Sequence, residues 1–262
     1  MRMSAVLPQL ELKRVVNPAL SLLVLCSFVQ PALSQDVDNT RPRTDVGGSV
    51  TITNKGISTV PTFTLGKPAA IFDVSIRRKA LSFEPQFRYG LNGKPWSFLF
   101  WGRYRLVQGD KLQLSIGAHP ALNFRTTTVS VGGAQRELIV ARRFLAGELY
   151  PTYALSRRVS VGAYYLYSYG VERDVARHSH FVAMRANVTN VRLAGPYFMH
   201  LAPQVYYLRV ADRDGSYLNS AVTLARRDLP LSVSAVANKP MHSDIPAGKD
   251  FIWNVSLTYV LD

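Results

Sequence analysis

Apolar and polar residues alternate with a period of two over most of this chain. Near the C-terminus Phe251, Trp253, Val255, Leu257, Tyr259 and Leu261 share one side, and Asn254, Ser256 and Thr258 the other. Leu81, Phe83, Pro85, Phe87, Tyr89 and Leu91 alternate with Ser82, Glu84, Gln86, Arg88 and Gly90. Val159, Val161, Ala163, Tyr165, Tyr167 and Tyr169 oppose Ser160, Gly162, Tyr164 and Ser168. Successive side chains of a strand point to opposite faces, so this pattern predicts strands that border two different environments. No stretch after Ser34 keeps a helical stripe.

Twelve strands are predicted, at roughly 57–65, 70–77, 81–91, 96–107, 111–124, 136–155, 159–170, 179–193, 197–211, 215–226, 229–239 and 250–261. Connections after the even strands are short, as at Gln108-Gly109-Asp110 and Ser156-Arg157-Arg158, while 125–135, 171–178 and 240–249 are longer. An even strand count with one short-turn end and one long-loop end is the signature of a closed antiparallel up-and-down transmembrane β-barrel. In lipid every backbone polar group needs a partner, and only a closed barrel provides that with strands. A secreted β-sandwich would alternate too, but its apolar faces would meet in one core. Tyrosines at many strand ends fit the aromatic girdles of a membrane barrel better.

The first residues read differently. Lys13 and Arg14 precede an apolar run from Val15 to Val29, and Ala32-Leu33-Ser34 supplies small residues for cleavage after Ser34. The run is too short to span a bilayer, so residues 1–34 read as a signal peptide. Residues 35–56 then form a short periplasmic segment, and 57–262 the barrel. The expected location is the bacterial outer membrane.

Composition narrows the partners. The net charge is +14, with 31 basic and 17 acidic residues. An exported basic chain meets anionic lipid or anionic solutes rather than nucleic acid. With 28 aromatic residues (Tyr 13, Phe 12, Trp 3) the chain is no disordered polymer. Its one cysteine, Cys26, excludes a disulfide framework and a cysteine-based zinc site.

The run from Thr53 through Pro61 and Phe63 to Ala69, then Ser82-Phe83-Glu84-Pro85-Gln86-Phe87-Arg88, then Gly93-Lys94-Pro95-Trp96-Ser97-Phe98, resembles an uncharacterised group of outer-membrane β-barrel proteins from Bacteroidota. The resemblance implies the barrel fold over most of the mature chain and no particular activity.

If the apolar set faces lipid, Glu84, Arg88, Trp101, Arg103, Arg105, Arg142, Glu148 and Arg185 line the lumen. Such charges either brace a narrow barrel as an Arg/Glu network or line a pathway. Five arginines against two glutamates favour small anionic solutes. Arg77-Arg78-Lys79, Arg157-Arg158 and Arg226-Arg227 fall at short turns, where their charge suits lipid headgroup phosphates. Trp96 and Trp253 suit the membrane interface.

Catalytic signals are poor. The His-x-Ser spacing that would put both groups on one strand face for lipid hydrolysis is absent. In His178-Ser179-His180 the serine opposes both histidines, and that pair lacks a third metal ligand. Gly132-Gly133 reads as a turn, not a phosphate loop. No catalytic residue, cofactor or metal is therefore expected. The sequence predicts a monomeric barrel, either a narrow channel with a basic lumen or a structural one. The alternatives are a membrane-embedded lipid-modifying hydrolase and the barrel subunit of an envelope complex.

Overall fold

The computed structural model describes residues 43–131 and 134–261. The expected signal peptide at 1–34, residues 35–42 of the segment after it, and the Gly132-Gly133 turn lie outside the described residues.

Twelve strands make a closed antiparallel barrel. They are β1 (Asp45–Thr53), β2 (Ala69–Arg78), β3 (Leu81–Gly90), β4 (Pro95–Gln108), β5 (Leu112–Val131), β6 (Ala134–Ala154), β7 (Val159–Gly170), β8 (His178–Arg192), β9 (Tyr197–Val210), β10 (Arg213–Arg226), β11 (Leu231–Ser243) and β12 (Ile252–Leu261). Each strand pairs with its neighbours in sequence. β1 closes the ring on β12, with Val50 opposite Tyr259 and Gly48 opposite Leu261.

The first strand corrects the sequence reading. It lies at Asp45–Thr53, inside the segment expected to precede the barrel, and not at 57–65. Val46, Val50 and Ile52 alternate there with Ser49, Thr51 and Thr53, but Gly47-Gly48 disguises the period. Residues 57–65 belong instead to a loop. Pro61 sits in a 3₁₀ turn, Pro61–Phe63, and Ile57, Ser58 and Pro61 are buried. Their apolar character reports burial beneath the rim rather than a place in the sheet.

The barrel is inverted relative to a water-soluble domain. On β12, Trp253, Val255, Leu257 and Tyr259 are 41–52% exposed on the outside, whereas Asn254, Ser256 and Thr258 are 1–3% exposed inside. On most strands the outward side chains are mainly apolar, while the inward set holds most of the buried polar and charged residues.

One rim carries the short turns 79–80, 109–111, 155–158, 193–196 and 227–230, together with both ends of the described chain. The opposite rim carries the longer loops 54–68, 171–177 and 244–251. There β5 and β6 outrun their neighbours. Pairing of β4 with β5 stops at Asn123 and pairing of β6 with β7 stops at Phe144. Beyond these points the two strands pair only with each other, and the ribbon is tied to the rim by Lys94 with Glu137 and by Arg142 and Arg143 with loop 171–177.

Candidate functional site

Among the described residues, buried charged side chains gather in the interior. Arg103 on β4 holds two carboxylates: Glu84 on β3, and Glu148 on β6 by an Nε–Oε1 contact of 2.5 Å. Arg77 approaches Glu84 at 3.6 Å. The Tyr164 hydroxyl donates to Glu148 Oε2 at 2.6 Å. Arg185 stands over the Tyr164 ring, 4.9 Å from its centroid, and donates to Gln204 at 3.0 Å. Gln204, Asn219 and Asn238 then pass amide hydrogen bonds from β9 to β11, and the Tyr206 hydroxyl ends the chain on Asn238 at 2.9 Å. A continuous polar belt thus runs round the inside from β2 to β11.

Glycine makes the belt possible at β5. Gly117 lies between Arg103 and Glu148 in the strand register. A Cβ there would stand 2.7 Å from Glu148 Oε1 and 3.0 Å from Arg103 Cγ. Any side chain at this point would push the ion pair apart.

The remaining wall, from β10 through β12 to β1, is built of small polar residues. Thr51 and Thr258 share a hydroxyl contact of 3.0 Å, and Asn254 donates to Thr53 Oγ1 at 3.0 Å. Thr51, Thr258, Ser232 and Ser234 are all buried, so the interior along this wall is covered rather than open to water.

Two loops pack into the long-loop mouth. Loop 54–68 turns inward, with Trp96 Nε1 donating to the Phe63 carbonyl at 2.7 Å and Phe63 meeting Phe144 at 4.8 Å between ring centroids. Loop 244–251 turns inward beside it. Ile245 is buried with Tyr164, Phe181, Tyr206, Leu208 and Tyr217. The two loops meet where Gly248 faces Pro61: a Cβ on Gly248 would lie 3.1 Å from Pro61 Cγ and collide with the Tyr217 hydroxyl.

The structure places the expected lumen residues in different surroundings. Glu84, Arg103, Glu148 and Arg185 join the belt. Arg88 forms a second group with Gln86, Asp73 and Ser49, and lies over the Trp96 ring at 5.1 Å. Trp101 is covered, its ring tilted at 42° against His119 with 3.9 Å between centroids and Arg103 over it. Arg105 sits at the short-turn mouth and donates to the Lys79 carbonyl at 2.5 Å. Arg142 reaches up to Asp174 in loop 171–177.

Of the expected headgroup residues, Arg77 is a correction. It is inward-facing and pairs with Glu84, because its position on β2 shares the parity of Ile71 and Asp73. Arg226 is engaged by Asp228 through two hydrogen bonds. Arg78, Lys79, Arg157, Arg158 and Arg227 are exposed at the short-turn rim. Trp96 is also corrected: it is 2% exposed and points inward. The register shifts between Arg88 and Tyr89, which face Ser97 and Pro95, and the resulting bulge reverses the face of Trp96. Trp253 points outward as expected.

Sequence reasoning placed Tyr164 on the polar face of its strand but gave no role to it or to Asp73, His119, Tyr206 and Tyr217. Strand parity would have placed Tyr206 and Tyr217 inward too, since each adjoins an outward apolar neighbour, Val205 and Leu218. It also missed Asp214, His242 and Asp244, whose ligand-capable atoms lie within 4.8 Å of one another at the long-loop rim and could hold a divalent cation. A bulge at Ser216/Tyr217 brings His242 into that row. Ser216 stands opposite His242, yet the described residues show no hydrogen bond between a histidine and a serine hydroxyl.

No family model and no curated protein matches the chain. Solved structures do share its outline. The KdgM porin is 9% identical, with 81% of this chain and 98% of that one covered at a TM-score of 0.49. The β domain of the Bordetella autotransporter BrkA is 9% identical over 83% and 98%, at 0.47. LpxR from Salmonella typhimurium is 11% identical over 82% and 99%, at 0.45. The barrel assignment itself rests on the strand pairing described above.

Proposed function

We propose that the protein is an integral β-barrel of the bacterial outer membrane whose interior is braced and closed in this conformation. The alternation on β12 carries the membrane reading, because a row of half-exposed Trp, Val, Leu and Tyr side chains outside a polar, buried interior is stable only against hydrocarbon. The belt supports closure: carboxylates that pair with buried guanidinium groups, under a mouth filled by Ile245, Phe63 and four inward aromatics, leave no solvated path.

Planar-bilayer recording tests closure. The folded protein is expected to show no steady conductance, and a stable ohmic conductance at low voltage would overturn it. A second reading has its own observation. Inward cations outnumber inward carboxylates, and one terminal nitrogen of the buried Arg88 lacks a hydrogen-bond acceptor among the described residues. A pathway for small anions would therefore open if the two loops were displaced. Deleting residues 58–64 in a protein that still migrates as a folded barrel should then produce an anion-selective conductance. Lipid hydrolysis is the weaker alternative, and a lipid-release assay on the reconstituted protein is expected to yield no product.

A further inference from the structure

The outer surface of β7, β8 and β9, just below the long-loop rim, differs from that of β2 to β5. Around β2 to β5 the outward residues near that rim are aromatic and uncharged: Phe72 meets Tyr89, Tyr89 meets Phe98, and Phe98 meets Phe124. On β7 to β9 the aromatic row is joined by nitrogen donors. Tyr167 stands opposite His180, and His180 opposite Arg209. Tyr169 stands opposite His178, with Arg177 over its ring at 5.5 Å.

These groups are held in place by one another. The Tyr165 hydroxyl meets His180 Nδ1 at 2.9 Å, and the Tyr167 hydroxyl meets His178 Nδ1 at 2.7 Å. In the tautomer in which the hydroxyl donates to Nδ1, the hydrogen sits on Nε2 and each imidazole presents an N–H donor on its free side. The Arg177 guanidinium bonds the Tyr169 hydroxyl, and Arg209 spends only its Nε, on the Ala211 carbonyl at 3.2 Å. Among the described residues neither arginine has a carboxylate partner, whereas nearby Arg142 and Arg143 do. Immediately toward the barrel's middle the outward residues become Val182, Met184 and Val205, 45–58% exposed and apolar. The donors therefore begin where the hydrocarbon-facing band ends.

We propose that this patch binds the phosphate of an outer-leaflet glycolipid: Arg177 and Arg209 grip the phosphate oxygens, His178 and His180 add N–H donors, and the acyl chains lie on Val182, Met184 and Val205. A phosphate monoester carries the charge and the acceptor oxygens that a guanidinium fork fits. The three residues from Arg177 to His180, the partner of Arg209, span about 10 Å of strand, which matches a phosphorylated sugar headgroup rather than a single ion. The assignment rests on the membrane reading above, with the long-loop rim outermost.

The test uses the folded full-length protein in nanodiscs of neutral phosphatidylcholine, titrated with bisphosphorylated lipid A, dephosphorylated lipid A and phosphatidylglycerol. The bisphosphorylated lipid is expected to bind at least tenfold more tightly than the other two. The Arg177→Gln/Arg209→Gln variant should bind all three alike, while Arg157→Gln/Arg158→Gln, which removes two cations from the opposite rim, should behave as the parent. Equal binding of phosphorylated and dephosphorylated lipid would overturn the site. So would an equal loss in the opposite-rim variant, or phosphatidylglycerol binding as tightly as bisphosphorylated lipid A. Failure of the parent protein to enter nanodiscs as a heat-modifiable species would instead contradict the membrane reading.

Discussion

Arg103 and Glu148 reach each other across β5 only because residue 117 lacks a side chain. Glu148 is buried, and removing one partner of a buried ion pair strands the other charge at a cost of about 3–5 kcal/mol. Glu148→Ala should therefore lower the unfolding free energy from liposomes by that order. Gly117→Val should do nearly as much without touching either charge, and denaturant titration of the two variants checks both. If Gly117→Val were silent, the ion pair would not be bracing the barrel. On the outside, Leu257→Arg should cost about 2–4 kcal/mol near the membrane midplane, whereas Leu261→Arg at the rim should cost about 0–1 kcal/mol. Equal costs would deny the depth gradient that lipid imposes. The inward placement of Glu84, Arg103, Glu148 and Arg185 was legible in the sequence because each falls on the polar side of its strand. Arg77 obeys the same rule, but its place in a basic triplet beside a turn hid its inward parity.

Strands were read well and loops poorly, for one physical reason. Alternation reports which face of a strand is apolar, and it survives wherever the sheet is regular. It fails at Gly47-Gly48, where side chains are missing, and at Trp96, where a bulge reverses the face. It also misleads at Ile57, Val60 and Phe63, which are apolar because their loop packs into the barrel mouth. Loop 171–177 is fixed by ion pairs instead: Asp174 to Arg142, and Glu172 to Arg143 at 2.7 Å. Hydrogen bonds from Arg143 hold the Glu172 carboxyl below its ordinary range, and Arg142 does the same to Asp174. A carboxyl depressed in the folded state stabilises it fully above the unfolded pKa, about 4, and loses that contribution as pH falls through the lower folded value. Amide exchange in residues 171–177 should thus stay constant from neutral pH down to about 5, after correction for intrinsic rates, and rise only below about 4. A rise beginning near pH 6 would implicate other groups.

At the scale of the molecule, the even strand count, the closed ring and the short-turn rim were all legible from turn spacing, since twelve hairpin-linked strands can bury their backbone groups only by closing. What the interior does was not legible, because the same inward arginines serve an open pathway or a brace, and only their partners decide. The belt, the covered small-residue wall and the two inward loops are what support the proposed sealed barrel. The most direct test labels β12 with single nitroxides at residues 254 to 260 in liposomes and measures collision with oxygen, which partitions into lipid, and with an aqueous nickel chelate. The account predicts that residues 255, 257 and 259 collide with oxygen while 254, 256 and 258 collide with neither reagent. Access of the nickel chelate to the even positions would reveal an open lumen, and its access to the odd positions would take the barrel out of the membrane.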